Sequence, residues 1–480
     1  MRGKSGFIIR FMLSKFFTHP ETYKSLSPSD LCHTSLGCPY CGKVHTIPIE
    51  FAAAEPGVLV GDAVNVLRRH AGSSLVPLLY DRAIEPLIAE KVIAPLQNQG
   101  FSIHPIGIGS PGVLLDTSVE LAHEAMEQIP SAASFLIGAG SGVICDLTKW
   151  VATQTHLEYA LIGTAPSMNA YTSITATITE GEVKISHLLT PPKAVLLDVN
   201  ILRDAPQEMI WAGWGDLAAR AVCNADWRLA NFFHGTYFCP FPYELTEKYQ
   251  NDVFAVASQI TQRDLLAFQL FADAILISGY SMTLLNGETS PSSGSEHVLS
   301  HFWDFLSHHR GLPKNLHGVQ VGIGTLIMLA FYEAFRSVNP HSLQPEKILK
   351  HRKSFGRLVD ENQRLYGDAA TRFNQILEKK YRKDEEILHR VQRVKMQWQF
   401  LWEILDPYLT PFEKVKRTFI EAGFPVSLQT IQRNKEEVLE AMIKGPFYRP
   451  RYTILDLAWE LGVLEDLAEE ALKRVFYQTR

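Results

Sequence analysis

From about residue 75 the chain alternates two hydrophobic patterns. Short apolar runs read as buried strands: SLVPLLYD (74–81), FSIHPIGIG (101–109), SFLIGAGSG (134–142) and YALIGTAPS (159–167). Between them, AIEPLIAEKVIAPLQNQG, DTSVELAHEAMEQI and VICDLTKWVATQ carry apolar positions at helical spacing. This alternation predicts a parallel α/β sheet whose strand C-termini offer loops to a ligand. The stretch ATITEGEVKISHLLTPPKAVLLD (176–198) departs from it. It predicts a β-hairpin turning near Glu180-Gly181, then a strand ending at Asp198. After Arg203 no strand pattern follows, and the chain to residue 480 reads as helices broken at GETSPSSGS, GLPKN and VNPHSLQP. The expected molecule is an α/β half followed by an all-helical half, with its site in the cleft between them.

Composition removes several classes. A chain of 480 residues holds two domains and a large core, and 46% hydrophobic with 20% charged residues is ordinary globular usage. Lys and Arg number 46 against 51 Asp and Glu, a net charge of −5, which argues against nucleic acid as a partner. No uninterrupted apolar run reaches the roughly 20 residues of a membrane span. The opening MRGKSGFIIRFMLSKFF is interrupted by Arg10 and Lys15 and reads as a ragged leader, not a signal peptide. Six cysteines form no disulfide framework, so a reducing cytoplasm is expected.

Three of those cysteines lie in LCHTSLGCPYCGKVH (31–45). Cys38-Pro39-Tyr40-Cys41 matches a redox tetrapeptide, but the extended VHTIPIEF that follows is not the helix such chemistry requires. Two readings stand beside it: a structural metal knuckle from Cys32, Cys38, Cys41 and His45, or a turn with inert thiols.

In LIGAGSGVICD, Gly138, Gly140 and Gly142 follow a strand and open a helix, as a phosphate cradle does. The spacing is G-x-G-x-G and not the dinucleotide fingerprint, so a tight strand-to-helix turn explains it equally well. Thr164 and Ser167, at the end of the next strand, add hydroxyls at the same edge.

His297 and His301 stand at i and i+4 in SGSEHVLSHFWDF, on one face of a helix. Asp216 in AGWGDLAAR and His317 in NLHGVQVGIGTLI belong to the same helical half and could converge with them on a divalent ion. Asp216 could equally be a helix N-cap, His317 a core residue, and Glu296, Asp304 and Asp226 are competing carboxylates.

Five ordered motifs between about Ile47 and Gly462 carry a resemblance: GAGSGVICDLTKW, TAPSMNAYTS, AGWGDLAARAVCNADWRLA, GSEHVLSHFWDF and LHGVQVGIGT. Together they resemble glycerol-1-phosphate dehydrogenases, of the metal-dependent alcohol dehydrogenase superfamily that includes glycerol dehydrogenase and 3-dehydroquinate synthase. RPRYTILDLAWELG resembles the bacterial branch. The resemblance implies a dehydroquinate synthase-like fold. Residues 1–46 would be an extension, 47–202 a Rossmann-like NAD(P)-binding domain, and 203–480 a helical metal- and substrate-binding domain.

The resemblance further implies Asp216, His297 and His317 as ligands of one divalent metal (zinc, nickel or iron), with His301 facing the substrate. It implies that NAD or NADP is held by Asp81 at a ribose, Gly140 and Gly142, Val143, Ile144, Cys145 and Asp146 at the pyrophosphate, and Thr164, Ser167 and Ser173 nearby. The expected substrate is a phosphorylated polyol, dihydroxyacetone phosphate reduced to sn-glycerol 1-phosphate. Asp216 and His301 would be catalytic, and Asn169 and Arg220 would bind substrate. A homo-oligomer is compatible with the sequence. Four positions depart from the family pattern: Asn169 replaces the usual aspartate, Ala170 a glycine, Cys145 an asparagine and Arg220 a lysine. They leave open a related polyol dehydrogenase, another enzyme of the superfamily, or a silent cofactor-binding homologue.

Overall fold

The computed structural model describes residues 15–61, 63–181 and 183–477; the expected leader, up to residue 14, lies outside them. Among the described residues eleven strands occur: β1 (Lys15–Phe17), β2 (Thr34–Gly37), β3 (Val44–Ile47), β4 (Phe51–Glu55), β5 (Val76–Asp81), β6 (Ile103–Ile108), β7 (Phe135–Gly140), β8 (Glu158–Gly163), β9 (Thr175–Glu180), β10 (Val183–Leu188) and β11 (Ala194–Asp198). Six form one wholly parallel sheet in the order β4-β11-β8-β7-β5-β6. Burial on both faces explains why these strands read as continuous apolar runs. β5 and β7 are neighbours although β6 lies between them in sequence, so the order reverses there and a crevice opens at their C-terminal ends.

The glycine turn fills the β7 side of that crevice. A Cβ on Gly138 would lie 2.0 Å from Thr148 Oγ1, and one on Gly140 would lie 2.6 Å from Ile144 Cβ. These two glycines let the helix Gly142–Thr155 press onto β7. The hairpin β9–β10 stands apart as a two-stranded antiparallel sheet, tied to that helix where Asp146 Oδ2 accepts the Thr177 N–H at 3.1 Å.

Among the described residues no strand follows β11. Two helices of the second half, Leu265–Thr283 and His317–Arg336, are long and apolar enough to cross a membrane. A count of uninterrupted apolar runs misses them, because polar residues are spaced through both. They are core helices, mostly and almost wholly buried respectively. β1, β2 and β3 form a small separate sheet packed against the helical half.

Candidate active site

Two crossing helices build the centre. A Cβ on Gly215 of the helix Gln207–Ala218 would sit 2.2 Å from the Gly318 carbonyl oxygen, and one on Gly318 would sit 1.9 Å from Ala212 O. Only glycine permits that approach. It carries Asp216 up against His317. The third element, Ser295–Arg310, is pinned at its start by the buried Asp226. That carboxylate accepts from Ser295 N–H at 2.7 Å, Ile454 N–H at 2.8 Å and Tyr332 O–H at 2.7 Å. Burial, with the charge of Glu296, pushes its pKa up to about 6.

Ligand-capable atoms of Asp216, His297 and His317 lie within 4.8 Å of one another, with His297 Nε2 3.5 Å from Asp216 Oδ1. Each ring is oriented from behind. His297 Nδ1 donates to Glu296 Oε1 at 2.7 Å. His317 Nδ1 meets Ser300 Oγ at 3.0 Å, and Ser300 spends its proton on Gln320 Oε1 at 2.9 Å, so His317 must be the donor. Both Nε2 lone pairs are thereby left for the cluster. Asp216 Oδ2 accepts the Asn169 N–H at 2.7 Å, whereas Oδ1 is buried without a hydrogen-bond partner. Two imidazoles of fixed tautomer and an orphaned carboxylate oxygen fit a divalent ion.

Burial dominates the electrostatics. It raises the Asp216 carboxyl, but the neighbouring imidazoles of His297 and His317 and the Asn169 N–H outweigh it and hold the group below its ordinary value. Burial pulls His297 down, and the neighbouring carboxylates of Asp216 and Glu296 bring it above the usual imidazole range. His317 is pushed down to about 4 by burial. His301 falls well below its ordinary value through burial and the charge of Arg449, and its buried Nδ1 has no partner.

One cavity joins this cluster to the sheet crevice. Its wall includes Asp81, Gly142, Val143, Asp146, Ser167, Asn169, Asp216, His297, His301 and His317. Several expected contacts are not on it. Gly140 O is engaged by Thr164 N–H at 3.0 Å, and both residues face the sheet. Ile144 packs on Gly140, and Cys145 is fully buried behind it. Ser173 is fully buried, its hydroxyl 2.7 Å from Thr175 Oγ1.

Arg220 is also a correction. It is 2% exposed and does not itself line the cavity; its Nη2 donates to Ser278 and, at 2.9 Å, to Ser292, which does. The cations on the cavity wall are Lys184, Lys314 and Arg449. Lys184 reaches Asp304 at 2.9 Å and Lys314 reaches Asp116 at 3.1 Å. Arg449 has no carboxylate partner among the described residues; its Nη1 donates to Lys184 O at 3.2 Å. Burial and the neighbouring charges of Arg451 and Arg372 lower its pKa to about 10. Nothing in the spacing of RPRYT distinguishes Arg449 from Arg220. Glu296 carried a signal, its place directly before His297, but as a competing ligand and not as an orienting group.

The expected knuckle changes membership. Cys38, Cys41 and His45 do converge, but with Cys239, while Cys32 Sγ lies 3.1 Å from the Tyr280 hydroxyl. Cys32 ends the turn from Pro28, whose carbonyl also accepts from Tyr280 at 3.1 Å, and so it faces the helix Leu265–Thr283.

Residues 54–206 match the family described as iron-containing alcohol dehydrogenase. A glycerol-1-phosphate dehydrogenase [NAD(P)+] of Halalkalibacterium halodurans is 30% identical over 311 residues, 62% of this chain and 77% of that one. One from Saccharolobus islandicus is 33% identical over 195 residues, 41% of this chain and 54% of that one. The solved glycerol dehydrogenase of Schizosaccharomyces pombe superposes with a TM-score of 0.56 at 15% identity, covering 89% of this chain and 92% of that one. That likeness concerns the fold.

Proposed function

The chain belongs to the glycerol-1-phosphate dehydrogenase family, and from that premise we propose that it reduces dihydroxyacetone phosphate to sn-glycerol 1-phosphate with NAD(P)H and a divalent metal. The observation that carries this reading is the continuity of one cavity from Asp81 and the glycine turn to Asp216, His297 and His317.

Asp216, His297 and His317 would hold the metal, for which zinc is our choice given one carboxylate and two imidazoles. The bound ion supplies Lewis acidity toward a substrate oxygen, and the nicotinamide supplies the hydride. The protein does the rest. Asp81, at the end of β5, accepts from a ribose hydroxyl, which favours NADH over NADPH. The N–H groups at the start of Gly142–Thr155, of which Gly142 N–H lies 3.4 Å from Ser167 Oγ, would take the pyrophosphate. Asn169 and the residues that would hold the metal would position the substrate carbonyl in the cavity they line. His301, on the same wall and kept neutral by burial, would hydrogen-bond the reacting oxygen and relay a proton between it and water, toward it in reduction and away from it in oxidation. Arg449 meets the substrate phosphate. The six free thiols support a reducing, cytoplasmic setting.

The test is NADH oxidation with dihydroxyacetone phosphate by purified protein resupplied with Zn²⁺, then treated with EDTA, with dihydroxyacetone as the unphosphorylated control. Turnover that needs metal and phosphate, with a glycerol 1-phosphate product by chiral analysis, is expected. Equal rates on dihydroxyacetone would favour a glycerol dehydrogenase. No turnover with both metal and NADH bound would make the chain a silent homologue.

A further inference from the structure

The glycine turn, the helical metal cluster and the cavity leave Cys38, Cys41, His45 and Cys239 unused. We propose that these four side chains form a second metal site, a structural zinc centre that fastens the N-terminal segment to the helical half. Their ligand-capable atoms lie within 4.8 Å of one another. Cys38 Sγ is 3.7 Å from Cys239 Sγ, and His45 Nε2 is 3.4 Å from Cys41 Sγ and 3.5 Å from Cys239 Sγ. Tetrahedral zinc with Zn–S of about 2.3 Å and Zn–N of about 2.0–2.1 Å has S···S edges near 3.8 Å and S···N edges near 3.6 Å. The observed edges match both values. A disulfide between Cys38 and Cys239 would need about 2.05 Å.

The surroundings are those of a ligand set. His45 Nδ1 lies 2.9 Å from the Leu284 carbonyl oxygen, a pure acceptor, so the proton sits on Nδ1 and the Nε2 lone pair points into the cluster. The ring is stacked on Phe241, with planes 6° apart. Cys38 to Gly42 forms a tight knuckle, in which Gly42 takes φ +71° and donates its N–H to Cys38 O at 2.9 Å. Backbone N–H groups aim at the sulfurs: Tyr40 and Cys41 at Cys38, Lys43 at Cys41, Phe241 at Cys239. Lys43 Nζ stands nearby, 3.7 Å from the Tyr237 ring centroid, as a counter-charge to three thiolates. Cys38, His45 and Cys239 are buried, so an ion there has no open position for substrate.

Position gives the site its role. The knuckle is the β2–β3 turn, and Cys239 lies 201 residues away, between the helices Cys223–His234 and Phe241–Ala255. One ion closes that loop and fixes the small sheet on the helical core. The active-site ligands contain no sulfur, so the two sites are separable by spectroscopy.

The test uses the full chain loaded with Co²⁺ or Zn²⁺. The wild type should show thiolate-to-cobalt charge transfer in the near ultraviolet and Zn–S scattering at about 2.3 Å by X-ray absorption. Cys239→Ser should lose most of that signal and about one metal equivalent per chain. Cys32→Ser and Asp216→Ala should both retain it. Absence of sulfur-bound metal from the wild type, or a Cys38–Cys41 or Cys38–Cys239 disulfide found by mass spectrometry, would overturn the proposal. So would loss of the signal in Cys32→Ser with retention in Cys239→Ser. The wild-type measurement decides even where a variant does not fold.

Discussion

Asn169 holds Asp216 from two directions: its backbone N–H donates to Oδ2 at 2.7 Å, and its side-chain amide donates to the Asp216 carbonyl oxygen at 3.0 Å. An ionised aspartate at this position would have no proton to give that carbonyl. In this chain Asn169→Asp would turn a donor into an acceptor facing an acceptor, in a setting 4% exposed. We expect the metal-free variant to lose about 1–3 kcal/mol of stability, the usual cost of an unsatisfied buried polar group. Bound Zn²⁺ should narrow the gap by offsetting the added charge. Denaturant unfolding with and without Zn²⁺ measures both, and an unchanged metal-free midpoint would show that the amide bond contributes nothing.

Glu296 touches the metal cluster only through His297. It is fully buried, and its Oε1 accepts from His297 Nδ1 at 2.7 Å and from Gly294 N–H at 2.6 Å. Glu296→Gln keeps an acceptor but removes the charge that makes the imidazole a stronger ligand. Loss of such an outer partner typically weakens metal affinity about 10–100-fold. Competition against a chromophoric chelator should read that drop, while kcat recovers at saturating metal. Unaltered affinity would reduce Glu296 to a helix-start residue.

Much of the fold and half of the site were legible from local pattern. Five of the six parallel strands announce themselves because burial on both faces makes them continuous apolar runs, whereas the edge strand Phe51–Glu55, rich in alanine, gives no such run. His297 and His301 share a face by helical spacing alone. Other features depend on contacts that no window of sequence contains. Cys239 joins the knuckle across 201 residues, whereas Cys32, only six positions from Cys38, turns instead to Tyr280. Arg220 is buried behind Ser278 and Ser292 whereas Arg449 is half-buried on the cavity wall, and only the packed structure tells the two guanidiniums apart. The reason for Gly215 and Gly318 is likewise invisible until the two helices touch.

Arg449 is the cation on the cavity wall without an acidic partner among the described residues, set among the charges of Arg451 and Arg372. A guanidinium without a carboxylate partner is available to a dianion, and a charge-assisted hydrogen bond there contributes about 1.5–3 kcal/mol. Arg449→Met should therefore raise KM for dihydroxyacetone phosphate on the order of 10–100-fold. It should leave the weak reduction of unphosphorylated dihydroxyacetone unchanged. A parallel fall on both substrates would mean that Arg449 supports the fold and not phosphate recognition.

His234 sets an acid limit on stability. Burial and the charges of Arg390, Arg382 and Arg393 push its pKa down to about 4, and Arg390 Nη2 approaches its Nε2 at 3.4 Å. The folded protein thus keeps this imidazole neutral at a pH where the unfolded chain, with a pKa of about 6.5, already binds the proton. Extra proton uptake by the unfolded state lowers stability as pH falls from about 6.5 toward about 4, by an amount on the order of 2–3 kcal/mol for this group. Above about pH 6.5 the penalty is absent. His234→Gln keeps an acceptor for Arg390 without a titrating ring, so its unfolding free energy should decline less steeply across that window. Wild-type and variant slopes that coincide between pH 6.5 and 4 would mean that His234 is protonated in the folded protein despite its arginine neighbours.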